Sequence, residues 1–145
     1  METRIKIDEL EPKAFQSMLG LESYLSAIDI EPRLKKIIKV RASQINGCAF
    51  CIQMHTEEAR KAGETEHRLY ALAAWKESPL FSKLERIVLA VTEEITLISD
   101  RGLSKETYNK ALDVLGENRL AQCIIQVVTI NAWNRIALAT NMVHE

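Results

Sequence analysis

The sequence is poor in residues that interrupt regular structure, with only five glycines and three prolines among 145 residues. Alternation of apolar and polar residues at a period of two is nearly absent, which argues against β-strands. Apolar residues instead recur at intervals of three and four, the spacing that places them on one face of a helix. We therefore predict an all-α protein with a single domain over residues 1–145, since this length suits one packed core.

An excess of charge of one sign is also missing. The 19 basic and 20 acidic residues give a formal net charge of −1, and no basic block occurs. We therefore expect neither nucleic acid nor an anionic membrane surface as a partner. The segment 1–8 is charged and lacks the apolar stretch of a secretory signal, so we expect a cytoplasmic location.

Turn residues and caps divide the chain into about six to eight helices. Gly47 after Asn46 is typical of a helix end, and Ser78-Pro79 is typical of a cap followed by a first helical residue. Gly20 is expected to split or kink the first helix. The predicted helical segments are 12–27, 32–46, 48–62, 66–75, 79–101, 104–115 and 118–142.

The last predicted helix is apolar on more than one face. It is long enough to cross a bilayer, but five of its side chains would be costly in lipid: Gln122, Gln126, Asn131, Asn134 and Arg135. We expect it to be a central helix or to lie at an interface between subunits of a homo-oligomer.

Cysteine is scarce, and three cysteines do not make a disulfide framework. Two of them, Cys48 and Cys51, are three residues apart, and His55 follows. On a helix these residues occupy positions i, i+3 and i+7 of one stripe. Two such thiols can exchange a disulfide, and the imidazole can take the proton that makes a thiol nucleophilic. The sequence therefore predicts a redox site at a helix N-terminus.

Two arguments disagree on which cysteine attacks. The helix dipole favours Cys48, which is nearer the N-terminus, whereas a general base favours Cys51, which is one turn from His55. The dipole is typically worth ~0.3–1 kcal/mol, whereas general-base help is worth roughly 10²–10⁴-fold in rate. We predict that Cys51 is the nucleophile. Glu58, one turn further on, could orient the imidazole, although a carboxylate at such a position is more often a surface residue.

Other interpretations of these side chains are less specific. Packing alone could explain the Cys-x-x-Cys pair, and zinc is a further alternative, but a structural zinc site needs four ligands and no second matching pair occurs. We therefore expect no metal, and no sequence motif indicates an organic cofactor. We interpret Cys123 as a small buried hydrophobe, and His67 and His144 as surface residues.

Several segments together resemble a known family. The run Arg41–Cys51 with His55 looks like the core of the alkylhydroperoxidase AhpD-like group within the carboxymuconolactone decarboxylase superfamily, and the likeness continues through 59–63, 70–75 and 131–135. The resemblance implies an all-helical fold, usually assembled as trimers or hexamers. It also implies peroxidase activity in which the second cysteine attacks the peroxide and the first resolves the sulfenic acid. Decarboxylase members lack the cysteine pair, so we do not expect that reaction.

Two positions depart from the resembled enzymes. Phe50 stands where they carry a histidine, and Lys36 stands where they carry a glutamate, twelve residues before the first cysteine. A carboxylate near His55 would fix its tautomer and raise its basicity, and Lys36 cannot supply one. We therefore expect a Lys36→Glu substitution to raise the peroxidase rate at neutral pH. Equal or lower activity would indicate another relay, with Glu58 and Glu93 as the candidates, or a substrate other than peroxide.

Taken together, the residues and the resemblance predict a thiol-dependent peroxidase. It would reduce organic or hydrogen peroxide through a Cys48–Cys51 disulfide, with His55 as the base and an external dithiol as the reductant. A redox-sensing or disulfide-exchange protein with slow peroxidase turnover is the alternative.

Overall fold

The computed structural model describes residues 2–143, which form eight α-helices and a short 3₁₀ turn, without a β-strand in this range. The helices are α1 (Ile7–Leu10), α2 (Pro12–Ala27), α3 (Pro32–Asn46), α4 (Ala49–Lys61), α5 (Glu66–Ala71), α6 (Lys83–Thr96), α7 (Ile98–Arg101) and α8 (Lys105–Thr140), with the 3₁₀ turn at Leu72–Ala74. The all-α prediction is confirmed.

Helices α3, α6 and α8 pack against one another and form the centre of the molecule, and α4 packs on α3. Each central helix contributes β-branched or leucine side chains with no more than 1% of their surface exposed: Ile37, Ile38, Val40, Val88, Leu89 and Val127. Burying such a side chain stabilises the fold by roughly 1.5–3 kcal/mol. The three helices are therefore a rigid base for whatever α4 carries.

The turn between α3 and α4 follows the sequence prediction. Gly47 adopts φ 68° and ψ 31°, a left-handed conformation that glycine enters without steric cost. Its N–H donates to the Gln44 carbonyl, and the Cys48 N–H donates to the Ser43 carbonyl. These two hydrogen bonds end α3 and place Cys48 at the start of α4.

Two predicted features in the first two-thirds of the chain are wrong. Helix α2 runs unbroken through Gly20, because one glycine lowers helix propensity without forcing a break. Ser78-Pro79 does not begin a helix. Ser82 caps α6 instead, in a capping box with Glu85 whose two hydrogen bonds fix the helix start.

Helices α6 and α8 also differ from the predicted segments. The predicted helix 79–101 is α6 followed by the separate short α7, and the apolar stripe ends in the exposed side chains Leu84 and Ile98. Helix α8 contains a sharp break at Gly116, at φ 73° and ψ 168°, which separates the two predicted segments 104–115 and 118–142. Within the described range, no helix combines the length and the apolar character needed to cross a bilayer.

Candidate active site

The two cysteines lie at the N-terminus of α4, as the sequence predicted. Cys48 is the N-cap residue and is joined to Cys51 by a disulfide, with a Cα–Cα distance of 5.3 Å. Cys48 Sγ accepts a hydrogen bond of 3.3 Å from the Cys51 N–H. In the reduced state this backbone donor, at the positive end of the helix dipole, favours negative charge on Cys48. The geometry makes Cys48 a good leaving thiolate when the disulfide is attacked at Cys51.

Both sulfurs lie beneath the surface, since Cys48 and Cys51 are each only 2% exposed. They pack against Ala137 of α8 and the half-buried ring of Phe50. Phe50, which stands where the resembled enzymes have a histidine, thus contributes an apolar wall in place of a titratable group.

His55 follows Cys51 by one turn of α4 and is 4% exposed. Its Nδ1 lies 2.9 Å from Glu58 Oε2. Its other ring nitrogen, Nε2, is buried and has no hydrogen-bond partner among the residues described. Leaving a buried polar nitrogen unpaired is costly, so a group that can donate to Nε2 would be bound favourably there.

Glu58 contacts His55, which is one of the two interpretations that the sequence left open for this carboxylate. The same oxygen that contacts His55 also accepts a 2.9 Å hydrogen bond from Lys36 Nζ. The hydrogen bond from His55, helped by the one from Lys36, outweighs the effect of burial and lowers the pKa of Glu58 to about 2. Glu58 is therefore a carboxylate and only accepts, which puts the hydrogen of the His55 ring on Nδ1. The i, i+3 spacing of His55 and Glu58 was the available sequence signal.

Cys51 and His55 line one cavity of about 370 Å³. Most of its wall is apolar or aromatic and comes from α2, α4, α8 and the residues that follow α8: Phe15, Leu19, Phe50, Met54, Trp133 and Met142. An ion pair completes the wall, with Lys39 Nζ 2.8 Å from Glu22 Oε2, while Glu22 Oε1 accepts from Trp133 Nε1 at 3.1 Å. The sequence interpretation missed this cavity, because its lining comes from helices that are remote in the chain.

A buried amide network supports the turn that carries Cys48. The Asn46 amide donates to the side-chain oxygens of Asn131 and Asn134, at 3.0 and 2.8 Å. Asn134 in turn donates to Ser43 Oγ at 3.0 Å. These bonds tie the last turn of α3 to α8, so the start of α4 is fixed relative to the helix that forms the opposite wall of the cavity.

The other titratable residues considered from the sequence do not belong to this site. Glu93 is held by Arg41, Trp75 and Lys76 and does not contact His55. Cys123 is 1% exposed, and burial raises the pKa of its thiol to about 11, in line with its interpretation as a small hydrophobe. His67 is exposed, as predicted.

Two expectations stay predictions: that His144 is a surface residue and that the protein binds no metal. The expectation for His144 lies outside the described residues. Residues 2–143 contain no group of three or more His, Cys, Asp or Glu side chains placed to hold a metal ion.

Fold and site together define a class of protein: an all-helical protein in which a Cys-x-x-Cys pair opens a helix and a buried histidine follows one turn later. The model of the carboxymuconolactone decarboxylase family matches residues 12–94, which is more than half of the chain. The chain belongs to this family, and it is an AhpD-like member of it.

Two relatives are similar over nearly their whole length. The uncharacterized protein YdfG of Bacillus subtilis (strain 168) is 39% identical over 139 residues, which cover 96% of this chain and 95% of YdfG. The crystal structure of ATU0492 from Agrobacterium tumefaciens, a protein of unknown function suggested to be the antioxidant defence protein AhpD, is 33% identical. It superimposes with a TM-score of 0.96 over 99% of each chain.

A more distant structure shares the fold. An uncharacterized peroxidase-related protein from Silicibacter sp. TM1040 is 18% identical, with a TM-score of 0.78 over 92% of this chain and 71% of that one. At this identity the likeness concerns the fold alone.

Proposed function

We propose that this protein is a cytoplasmic thiol-dependent peroxidase that reduces organic or hydrogen peroxide through a Cys48–Cys51 disulfide cycle, in a single domain of residues 1–145. One observation carries the proposal: Cys51, which is joined to Cys48 by a disulfide, and the buried His55, whose Nε2 has no partner among the described residues, line the same largely apolar cavity. The antioxidant role suggested for ATU0492 supports it.

In the proposed cycle, His55 Nε2 takes the proton of the Cys51 thiol, and the thiolate attacks the O–O bond of R–O–O–H. The S–O bond forms as the O–O bond breaks, giving Cys51 sulfenic acid and an alkoxide. The alkoxide takes the proton from His55 and leaves as an alcohol. The Cys48 thiol then condenses with the sulfenic acid, which gives the disulfide and one water. An external dithiol reduces the disulfide and is itself oxidised to a disulfide.

The lining of the cavity supports organic hydroperoxides over hydrogen peroxide. An apolar substituent would be buried against Phe15, Phe50 and Trp133, at roughly 25 cal/mol per Å² of apolar surface removed from water. Once His55 has taken the Cys51 proton, its Nε2–H would donate to the alkyl-bearing oxygen of the peroxide, the atom that leaves as the alkoxide. We therefore expect cumene hydroperoxide to give a higher kcat/KM than hydrogen peroxide, and the reverse order would argue against this substrate preference.

The test is peroxide consumption in the presence of a recycling dithiol. Cys51→Ser should abolish consumption, whereas Cys48→Ser should react once and leave a sulfenic acid at Cys51 that dimedone traps. Cys123→Ala is the control and should turn over like the wild type, because its thiol is buried and carries a pKa of about 11. Trapping at Cys48 in the Cys51→Ser protein would reverse the roles. A wild type that consumes no peroxide with any dithiol would refute the proposal.

The alternative is a redox-sensing or disulfide-exchange protein. The 2% exposure of each cysteine favours this alternative, because a bulky reductant cannot contact the sulfurs unless the side chains packed over them move. Stoichiometry separates the two functions. A sensor consumes one peroxide per chain and then stops, whereas a peroxidase continues as long as dithiol is supplied.

A further inference from the structure

The contact between His55 and Glu58 distinguishes the two interpretations that the sequence left open for this carboxylate, which were orientation of the imidazole and a place on the surface. Glu58 Oε2 lies 2.9 Å from His55 Nδ1 and 2.9 Å from Lys36 Nζ, so one oxygen serves both partners. We propose that Glu58 is the positioning residue for His55 and that Lys36 is the counter-ion of Glu58. This inference rests on the proposed function in taking His55 as the base that activates Cys51.

The proposal follows from which of these three side chains can donate a hydrogen bond and which can only accept one. An ammonium group only donates and a carboxylate only accepts, so the hydrogen between Glu58 and His55 belongs to Nδ1. Nε2 is then the basic nitrogen, and it is buried without a partner among the described residues, on a ring that lines the same cavity as Cys51. Without Glu58, the ring could carry its hydrogen on Nε2, and the nitrogen free to take the Cys51 proton would be lost.

Charge gives Glu58 a second effect on the same ring. When the thiol proton moves to His55, the ring becomes a cation, and the Glu58 carboxylate lies 2.9 Å from its Nδ1 as the opposite charge. The other charged groups that line the cavity are Lys39 from α3 and Glu22 from α2, which are paired with each other, while Lys36 from α3 is paired with Glu58. Glu58 is thus the carboxylate that contacts the ring directly when it takes the Cys51 proton.

This arrangement changes the expectation for Lys36. The sequence-based prediction that Lys36→Glu raises the rate assumed that no carboxylate supports His55, and that assumption is wrong. A second carboxylate at position 36 would repel Glu58 and remove its counter-ion. We now expect Lys36→Glu to be no faster than the wild type, and Lys36→Arg, which keeps the charge and the donor, to resemble the wild type. A faster Lys36→Glu variant would contradict the counter-ion role.

The decisive experiment does not depend on peroxidase activity. Iodoacetamide alkylation of Cys51 is followed from pH 5 to pH 10 in the Cys48→Ser background, alone and with Glu58→Gln. Glu58→Gln should move the midpoint of the profile about one unit to higher pH and slow alkylation at pH 7 roughly tenfold, because a neutral amide no longer stabilises the imidazolium. The matched control is Glu57→Gln on the same helix, whose side chain is exposed and should leave the profile unchanged.

A purely structural role for Glu58 would lower the melting temperature without moving the midpoint, and this result would overturn the proposal. If Glu58→Gln does not fold, ¹⁵N NMR of the wild-type ring decides instead. The Nδ1–H tautomer supports the proposal, and the Nε2–H tautomer overturns it. Failure of the peroxidase proposal is a separate result, since the wild type would then consume no peroxide while the alkylation profiles still report on Glu58.

Discussion

At the scale of single residues, the two ring nitrogens of His55 have opposite environments. Nδ1 is hydrogen-bonded to Glu58, whereas Nε2 is buried without a partner in the described part of the chain. A residue needed only for packing would seldom keep an unpaired nitrogen in this position. The asymmetry is what a general base requires, since one nitrogen orients the ring and the other receives the proton.

His55→Ala should therefore slow the reaction of reduced Cys51 with peroxide by roughly 10²-fold at pH 7, the lower end of general-base contributions. The remaining reaction should rise only at higher pH, where Cys51 ionises without help. Stopped-flow peroxide consumption across pH measures both effects. His67→Ala is the control, because His67 is exposed on α5. An unchanged pH–rate profile in His55→Ala would remove His55 from the mechanism.

The ion pair of Glu58 predicts a stability difference that depends on pH. Its pKa is lowered from 4.5 to about 2 in the folded chain, so its contribution is fully present above about pH 4.5 and is lost as pH falls towards 2. Because the side chain is 38% exposed, solvent screening limits this contribution to roughly 1 kcal/mol. Glu58→Gln should be less stable than the wild type at pH 7 by this amount and equally stable near pH 2. Urea unfolding of both proteins at pH 7 and near pH 2 measures this. The same difference in unfolding free energy at both pH values would contradict the prediction.

At the scale of helices, two glycines should respond in opposite directions to the same substitution. Gly20 lies inside α2, and a Cβ built there meets no atom within 4 Å. Gly20→Ala should therefore stabilise the protein by roughly 0.5–1 kcal/mol. Gly116 also has open space, but its φ of 73° is unfavourable for alanine, so Gly116→Ala should destabilise by roughly 1–3 kcal/mol. Chemical unfolding of each variant gives the values, and equal shifts would show that backbone conformation does not decide the outcome.

Local sequence signals were reliable for some elements and not for others. Gly47 and Gly116 mark real breaks because each adopts positive φ, which few other residues tolerate. Gly20 does not adopt positive φ and lies inside α2. The local sequence alone does not distinguish a glycine inside a continuous helix from a glycine that ends one. Ser82 begins α6 in place of Ser78, because the capping box needs Glu85 at the right spacing.

The candidate site was predictable in part for the same reason. Cys48, Cys51 and His55 are close in the chain, so helical spacing alone brings them together. The cavity wall was not predictable, because Phe15 and Trp133 approach through tertiary packing, with ring centroids 5.3 Å apart. Lys36 also contacts Glu58 across 22 residues, a pairing that helical periodicity does not specify.

At the scale of the whole molecule, one surface stays apolar after the core has formed. Leu97, Ile98 and Val128 are 50%, 54% and 48% exposed, and they lie near the junction of α6, α7 and α8. A groove of about 510 Å³ runs along this surface. Two lining side chains are polar, Asn131 and Arg135 of α8. The others are apolar: Ile95, Ile98, Leu103, Ile124, Val128 and Ala132. Contiguous apolar surface of this kind is typical of an interface between subunits.

We therefore expect a homo-oligomer that buries this groove, and the resemblance to the AhpD-like group implies a trimer or hexamer. Light scattering at micromolar concentration should give about three or six times the 16.5 kDa of one chain. Val128→Asp should lower this mass, because a charge in an apolar interface loses its hydration without gaining a partner. Tyr70→Asp is the control, since Tyr70 is 74% exposed on α5 and lies outside the groove. A monomeric wild type would end the expectation. An oligomer that Val128→Asp leaves intact would place the interface on another face.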